Sequence, residues 1–133
     1  MNLTALLHTA QAAQAEIEAK LANAGLSLPK LLALQVLADG GESMPLSQLA
    51  DRLSCVRSNV TQLVDRLEAD GFVERQFDPN DRRSRLAVLT TAGRQSCREG
   101  SRIKAEAEAD LLAALSAEEA EQLGQLLGKV GRR

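Results

Sequence analysis

Apolar residues recur along the first 24 residues at the spacing of an amphipathic helix, with Gln, Glu and Lys between them. Gly25 follows as a stop signal. A second helix is predicted after Ser27, which can cap it and leaves Pro29 in the first turn. This segment is apolar on nearly all sides and ends at Asp39-Gly40-Gly41, so we expect a central, buried helix. The apolar positions of the first helix are Leu3, Leu7, Ala10, Ile17 and Leu21.

The next stretch has the pattern of a helix-turn-helix. Ser47 is predicted to cap a short helix, and residues 54–56 have the length of the turn. The following helix, from about Arg57 to Asp70, divides into two faces. Its apolar face holds Val60, Leu63, Val64 and Leu67. Polar groups that can reach base edges in a DNA major groove lie at the N-terminal end of the other face or flank it: Arg57, Ser58, Asn59, Thr61 and Gln62. An ordinary amphipathic surface helix would show the same division.

Two strands are predicted beyond Gly71, from Phe72 to Phe77 and from Arg85 to Leu89. The loop between them bends at Pro79-Asn80, and the tip carries Arg82, Arg83 and Arg85. An arginine at such a tip can enter a minor groove. Asp81 lies two residues before Arg83 and could hold its guanidinium in position. The alternative is a charged hairpin tip kept polar for solubility.

A long helix is predicted from about Ala92 to Leu115, capped by Thr90 or Thr91. Its middle has Ile103 as its one strongly apolar residue, which predicts an exposed connecting helix. A capping box, formed by a serine and a glutamate three residues later, begins the last helix. The apolar face of that helix holds Ala120, Leu123, Leu126, Leu127 and Val130.

The first and last helices have apolar stripes and no sequence-adjacent partner. A second copy of the chain would bury them, and the alternative is that they pack on the core of their own chain. The predicted fold is mainly α with a small β-hairpin wing, a winged helix-turn-helix in one compact chain. Residues 1–26 and 91–133 are assigned to dimerisation helices, and residues 27–90 to the winged helix-turn-helix.

Charge and composition narrow the class of protein. The net charge is −2, but residues 47–102 carry ten arginines against eight carboxylates. Arginine suits contacts to phosphates and guanine edges, although a solvated surface with ion pairs would also contain it. No apolar run approaches the ~20 residues that span a bilayer, and no signal peptide is visible. We therefore expect a soluble, cytoplasmic chain without a membrane partner.

Enzyme and metal chemistry lack their usual residue patterns. We find no nucleophile–base pair, no glycine loop that would cradle a phosphate and no cluster of metal ligands. His8 is the one histidine and lies far along the chain from Cys55 and Cys97, which do not make a disulfide framework. We expect no enzyme activity, no cofactor and no bound metal.

The sequence resembles the MarR family of transcriptional regulators over essentially the whole chain. The motifs that carry the resemblance are Leu49-Ala50-Asp51-Arg52-Leu53, the run from Val60 to Glu68, Gly71-Phe72-Val73-Glu74-Arg75, and the run from Asp78 to Leu86 continuing into Leu89-Thr90-Thr91-Ala92-Gly93. An Asp-x-Arg wing that leads to Leu-Thr-x-x-Gly is more specific than a general helix-turn-helix match.

The resemblance implies a homodimer with intertwined terminal helices and a recognition helix in the major groove. It also implies a wing arginine in the minor groove, here Arg83, with Asp81 as its orienting partner. Family members commonly repress genes for efflux, detoxification or catabolism, and many release DNA when a small aromatic or phenolic ligand binds between the dimer and DNA-binding regions. We expect such a pocket to draw on the second helix, the fifth helix and the neighbouring subunit.

Two positions depart from the family pattern. Val56 replaces a Ser or Thr that commonly caps the recognition helix, a cap worth ~1 kcal/mol. Cys55 stands at a turn position that is usually apolar, where it is either a redox switch or a small buried hydrophobe. The expected function is a ligand-responsive repressor that binds a palindromic operator as a homodimer. The alternative is a winged-helix module that binds protein without sequence-specific DNA binding.

Overall fold

Six helices and three strands are present in the described part of the chain, residues 2–53 and 60–131 of a computed structural model. Their order is α1 (Leu3–Ala22), α2 (Leu28–Asp39), β1 (Ser43–Pro45), α3 (Leu46–Arg52), α4 (Val60–Ala69), β2 (Val73–Asp78), β3 (Asp81–Leu89), α5 (Thr91–Leu111) and α6 (Ala117–Val130). The mainly helical architecture with a β-hairpin confirms the predicted fold class.

The buried centre is built on α2, as its all-round apolar pattern predicted. Ser27 caps this helix, since its hydroxyl accepts a hydrogen bond from the backbone N–H of Lys30 at 3.3 Å. Leu31, Leu34 and Leu37 are fully buried. A second contact fixes the helix start, because a carboxylate oxygen of Glu18 in α1 accepts from the backbone N–H of Leu28.

The sheet contains a strand that the sequence did not predict. Its order is β1-β3-β2, and all neighbours are antiparallel. β1 is only three residues long and ends in a proline, so it is too short to show an alternating pattern. The prediction that Ser47 caps α3 was wrong. The helix begins at Leu46 with Pro45 at the N-cap, and Ser47 lies in its first turn.

The prediction of an exposed connecting helix was wrong for one face of α5. Thr90 caps this helix, but Cys97, Gly100 and Ala107 are buried where it packs on α1 and α2. A Cβ on Gly100 would lie 2.7 Å from side-chain atoms of Leu26 and Leu31. Small residues permit this close approach, and a pattern of large apolar residues cannot reveal it.

The two terminal helices differ in how far they are buried in their own chain. In α1, Ile17 and Leu21 pack in the core of their own chain, whereas Leu3 is 69% exposed. The predicted capping box of α6 is present, formed by Ser116 and Glu119. The hydrogen bonds from Ser116 to Glu119 lower the pKa of that carboxyl. No residue of α6 is buried, so its apolar face is open to solvent in the single chain.

Candidate nucleic-acid interface

The buried face of α4 is the one that the spacing of its apolar residues predicted. Val60, Leu63, Val64 and Leu67 are all buried. Thr61 and Gln62 lie exposed on the outer face near the start of the helix. The other predicted polar contacts, Arg57, Ser58 and Asn59, lie outside the described residues, as does Cys55.

The wing is longer than predicted, because its strands continue to a two-residue turn at Pro79-Asn80. Two aspartates fix this tip through the backbone. Asp78 accepts a hydrogen bond from the N–H of Asn80 at 2.9 Å. Asp81 accepts one from the N–H of Arg83 at 3.0 Å, so its contact is with the backbone of Arg83 and not with the guanidinium as expected. Carboxylates that accept backbone hydrogen bonds in this way stabilise tight turns.

Three arginines of the wing project into solvent. Arg82, Arg83 and Arg85 are exposed, and within residues 2–53 and 60–131 none of them forms an ion pair with a carboxylate. The guanidinium of Arg85 lies over the ring of Phe77, with 4.0 Å between its carbon and the ring centroid. These cations are therefore available to an external anion.

Arg75 joins the wing to α4, a role the sequence analysis did not assign. Its guanidinium donates to Asp65 at 2.6 Å, to Glu68 at 2.8 Å and to the carbonyl of Thr61 at 3.3 Å. Glu68 also accepts from the backbone N–H of Arg75. Burial opposes the charge of Arg75, but the hydrogen bonds to both carboxylates outweigh it and raise its pKa.

The contacts of Arg75 with Asp65 and Glu68 form a brace between the wing and α4, and the sequence did contain a signal for it. Asp65 and Glu68 are one helical turn apart on the outer face of α4, and two carboxylates at that spacing favour a shared cation. A second ion pair holds the other end of α4, where Lys30 of α2 lies 2.8 Å from Asp70. The contacts of Arg75 hold the wing against α4, and the contact of Lys30 holds the end of α4 against α2.

An open cavity of about 840 Å³ lies beside the wing, between the end of α1 and the outer face of α5. Phe72, which leads into β2, forms part of its wall. Lys20 and Arg102 line the cavity as members of ion pairs, Lys20 with Asp110 and Arg102 with Glu99 and Glu106. The hydrogen bond that Lys20 donates to Asp110 raises the pKa of Lys20. The expected contribution of the second helix is absent from this cavity among the described residues.

Two other kinds of feature are absent from the described residues. No group of three or more His, Cys, Asp or Glu side chains there could hold a metal ion. Within the same residues, no helix is long and apolar enough to cross a membrane.

Comparison with known proteins identifies the family. The model of the MarR family matches residues 26–84. The HTH-type transcriptional regulator YcgE of Bacillus subtilis is 35% identical over 105 residues, which are 79% of this chain and 68% of YcgE. The chain belongs to the MarR family of transcriptional regulators. A MarR-family chain is not expected to be an enzyme, in agreement with the sequence analysis.

A second relative is more similar but longer than this chain. YkoM, another HTH-type regulator of B. subtilis, is 41% identical over 86 residues, which are 65% of this chain. The match spans only 56% of YkoM, so the chain corresponds to little more than half of the length of that protein.

Solved MarR-family structures share the fold over nearly the whole chain. A cysteine-to-serine variant of E. coli MarR in complex with operator DNA has a TM-score of 0.85 and 27% identity, and the match covers 98% of this chain and 94% of that one. The organohalide-sensing regulator RdhR, bound to 2,4-dichlorophenol, has a TM-score of 0.87 at 21% identity, with coverage of 98% and 80%. The second likeness concerns the fold alone.

Proposed function

We propose that this MarR-family chain binds double-stranded DNA and represses transcription. The outer face of α4 would enter a major groove, and the wing tip would reach the adjacent minor groove with Arg83. The observation that carries the proposal is the pairing of an exposed α4 face with a braced wing whose exposed arginines have no ion-pair partner among the described carboxylates. The complex of E. coli MarR with operator DNA supports it.

We further propose that the chain acts as a homodimer on a palindromic operator. Support comes from the open apolar face of α6, where Val130 is 71% exposed and Leu126 is 58% exposed. Leu3 and Leu7 at the start of α1 are exposed in the same way. A two-fold dimer would cover these faces and present two wings to two half-sites. This assigns residues 1–26 and 91–133 to dimerisation and residues 27–90 to DNA binding.

We also propose that a small aromatic or phenolic effector binds the cavity between α1 and α5 and releases the DNA. The cavity is large enough for such a molecule, and Phe72 connects its wall to the wing. The dichlorophenol-bound state of RdhR shows that this fold accommodates a phenolic ligand in that protein.

Binding to DNA upstream of the chain's own gene tests the proposed function. The purified protein is titrated onto that DNA at low and at physiological salt, with non-specific competitor present. We expect a specific complex that weakens steeply with salt, because phosphate contacts release counterions. A folded protein that binds an acidic protein partner and retains no DNA would instead identify the winged helix as a protein-interaction module.

The dimer has its own test, which does not depend on DNA. Light scattering of the purified chain should give twice the mass of one chain, and Leu126→Glu should give a folded chain of single mass. A wild-type chain that is already monomeric at micromolar concentration would exclude the dimer.

A further inference from the structure

The wing has two faces, and one of them is directed towards α4. The strand register pairs Val73 with Leu89, Arg75 with Ala87 and Phe77 with Arg85. Alternate residues of a strand share a face, so all six lie on the same side of the hairpin. At the end of this face nearest the core, Val73, Ala87 and Leu89 are buried. In the middle of the face, Arg75 contacts α4. The pair formed by Phe77 and Arg85 is therefore the next one outward, beyond the brace and on the side of α4.

Phe77 is unusual for its position on this face. The chain has only two aromatic residues, and Phe77 is 72% exposed. Its ring makes no contribution to the core, but it carries the guanidinium of Arg85 at 4.0 Å. Stacking occupies the flat face of a guanidinium and leaves its N–H donors pointing outward in the plane. Nη1 of Arg85 donates to the carbonyl of Ser84 at 3.5 Å, and the guanidinium has no other hydrogen-bond acceptor among the described residues.

Arg85 lines a shallow groove between the wing and the start of α3. Arg83, Arg85 and Ser84 line one wall of this groove, and Ser47 lies on the other. Two guanidinium groups and serine hydroxyls are donors that suit a phosphate. Asp81 also lines the groove, but its carboxylate is engaged by the backbone of Arg83.

We propose that Phe77 is a positioning residue that holds Arg85 against a backbone phosphate of bound DNA. The phosphate would belong to the strand that passes between the groove entered by α4 and the groove entered by the wing tip. Arg85 thereby sets the register of the protein on the duplex and reads no base, as phosphate contacts do. This inference rests on the proposed DNA binding and assigns Phe77 a role within it.

The test measures equilibrium binding across a salt series with two probes. One probe is a short duplex that the wild-type protein has selected from a random-sequence pool, and the other is an unrelated duplex of the same length. The variants are Arg85→Gln, Phe77→Leu, Phe77→Trp and the double change of Phe77→Leu with Arg85→Gln. Arg98→Gln is the matched control, because it removes an exposed arginine that lies in α5 and outside the wing.

Arg85→Gln should reduce the slope of log affinity against log salt by about one and weaken both probes to a similar degree. Phe77→Leu should weaken DNA binding about two- to fivefold. Phe77→Trp should retain the wild-type affinity, because the indole ring can stack on the guanidinium of Arg85 in the same way. The double variant should bind no worse than Arg85→Gln, because the two residues act through one contact.

Several outcomes would overturn the inference. Additive losses in the double variant would give Phe77 a separate role, and an unchanged salt slope for Arg85→Gln would remove the phosphate contact. A loss confined to the selected duplex would make Arg85 a base-reading residue. If the wild-type protein selects no duplex from the pool and does not retain the unrelated duplex, the proposed DNA binding itself fails, which these other outcomes do not imply.

Discussion

Arg75 at the base of the wing and Arg83 at its tip lie on one hairpin and have opposite surroundings. Arg75 is 22% exposed and binds Asp65 and Glu68 of α4. Arg83 is exposed, and within the described residues its guanidinium has no carboxylate partner. An arginine whose charge is already matched holds structure, whereas an unmatched one can bind an external anion. The neighbouring carboxylates, more than the number of arginines, therefore indicate which cations of this MarR-family chain are available to DNA.

The base of the wing, where β2 and β3 meet the start of α5, is also more closely packed than the tip of the wing. Phe72 accepts a hydrogen bond from the backbone N–H of Thr90 at 3.0 Å, and the hydroxyl of Thr90 donates to the carbonyl of Gly71 at 2.7 Å. A Cβ on Gly93 would lie 2.1 Å from the carbonyl oxygen of Phe72. The start of α5 thus packs directly on the backbone that leads into β2.

Gly93→Ala should produce the largest loss of stability, because backbone atoms cannot yield as a flexible side chain would. We expect the free energy of unfolding to fall by about 3 kcal/mol. Urea denaturation measures it, with Gln95→Ala in the same turn of α5 as the control. A fall of less than ~0.5 kcal/mol in the free energy of unfolding would contradict close packing between Gly93 and the backbone of Phe72.

Arg75→Met should weaken both stability and DNA binding. The change leaves Asp65 and Glu68 without their shared cation, so we expect a loss of about 1–2 kcal/mol in stability. Affinity for DNA should also fall, since the wing is no longer held against α4. Thermal unfolding and DNA titration measure the two effects, and Arg98→Met is the control. Normal stability and affinity would contradict the brace.

Arg83→Ala should act on DNA binding alone. We expect affinity to fall by about tenfold or more, equivalent to about 1.4 kcal/mol, with unfolding unchanged. DNA titration of the variant beside Arg98→Ala measures this effect. Unchanged binding would remove Arg83 from the interface, and a parallel loss of stability would erase its contrast with Arg75.

The smallest expected effect concerns the thiol of Cys97, which reports on the packing of α5 against α1 and α2. Burial raises the pKa of its thiol, only partly offset by a hydrogen bond with Ser101. The thiolate is the reactive form, so a raised pKa moves the rise of alkylation rate to higher pH than for a free thiol. Iodoacetamide labelling of a Cys55→Ser chain across a pH series measures it. A rate equal to that of N-acetylcysteine would contradict a buried thiol.

Sequence patterns predicted the features that depend on local spacing. The inward face of α4, the cap at Ser27 and the capping box at Ser116 each follow from residues one turn apart. The short strand β1 and the buried face of α5 depend on contacts between distant segments, and small residues such as Gly100 leave no apolar pattern. The spacing of Asp65 and Glu68 indicates a shared cation, but only the fold identifies that cation as Arg75, so the brace escaped prediction.

Hydroxyl-radical footprinting on DNA upstream of the chain's own gene tests the central claim most directly. Cleavage takes place from the minor groove, so it reports on the wing tips. We expect two protected minor-groove segments related by two-fold symmetry, both lost in Arg83→Ala and retained in Arg98→Ala. Protection that survives Arg83→Ala, or a folded wild-type protein that protects no segment, would contradict the role given to the unpaired arginines of the tip.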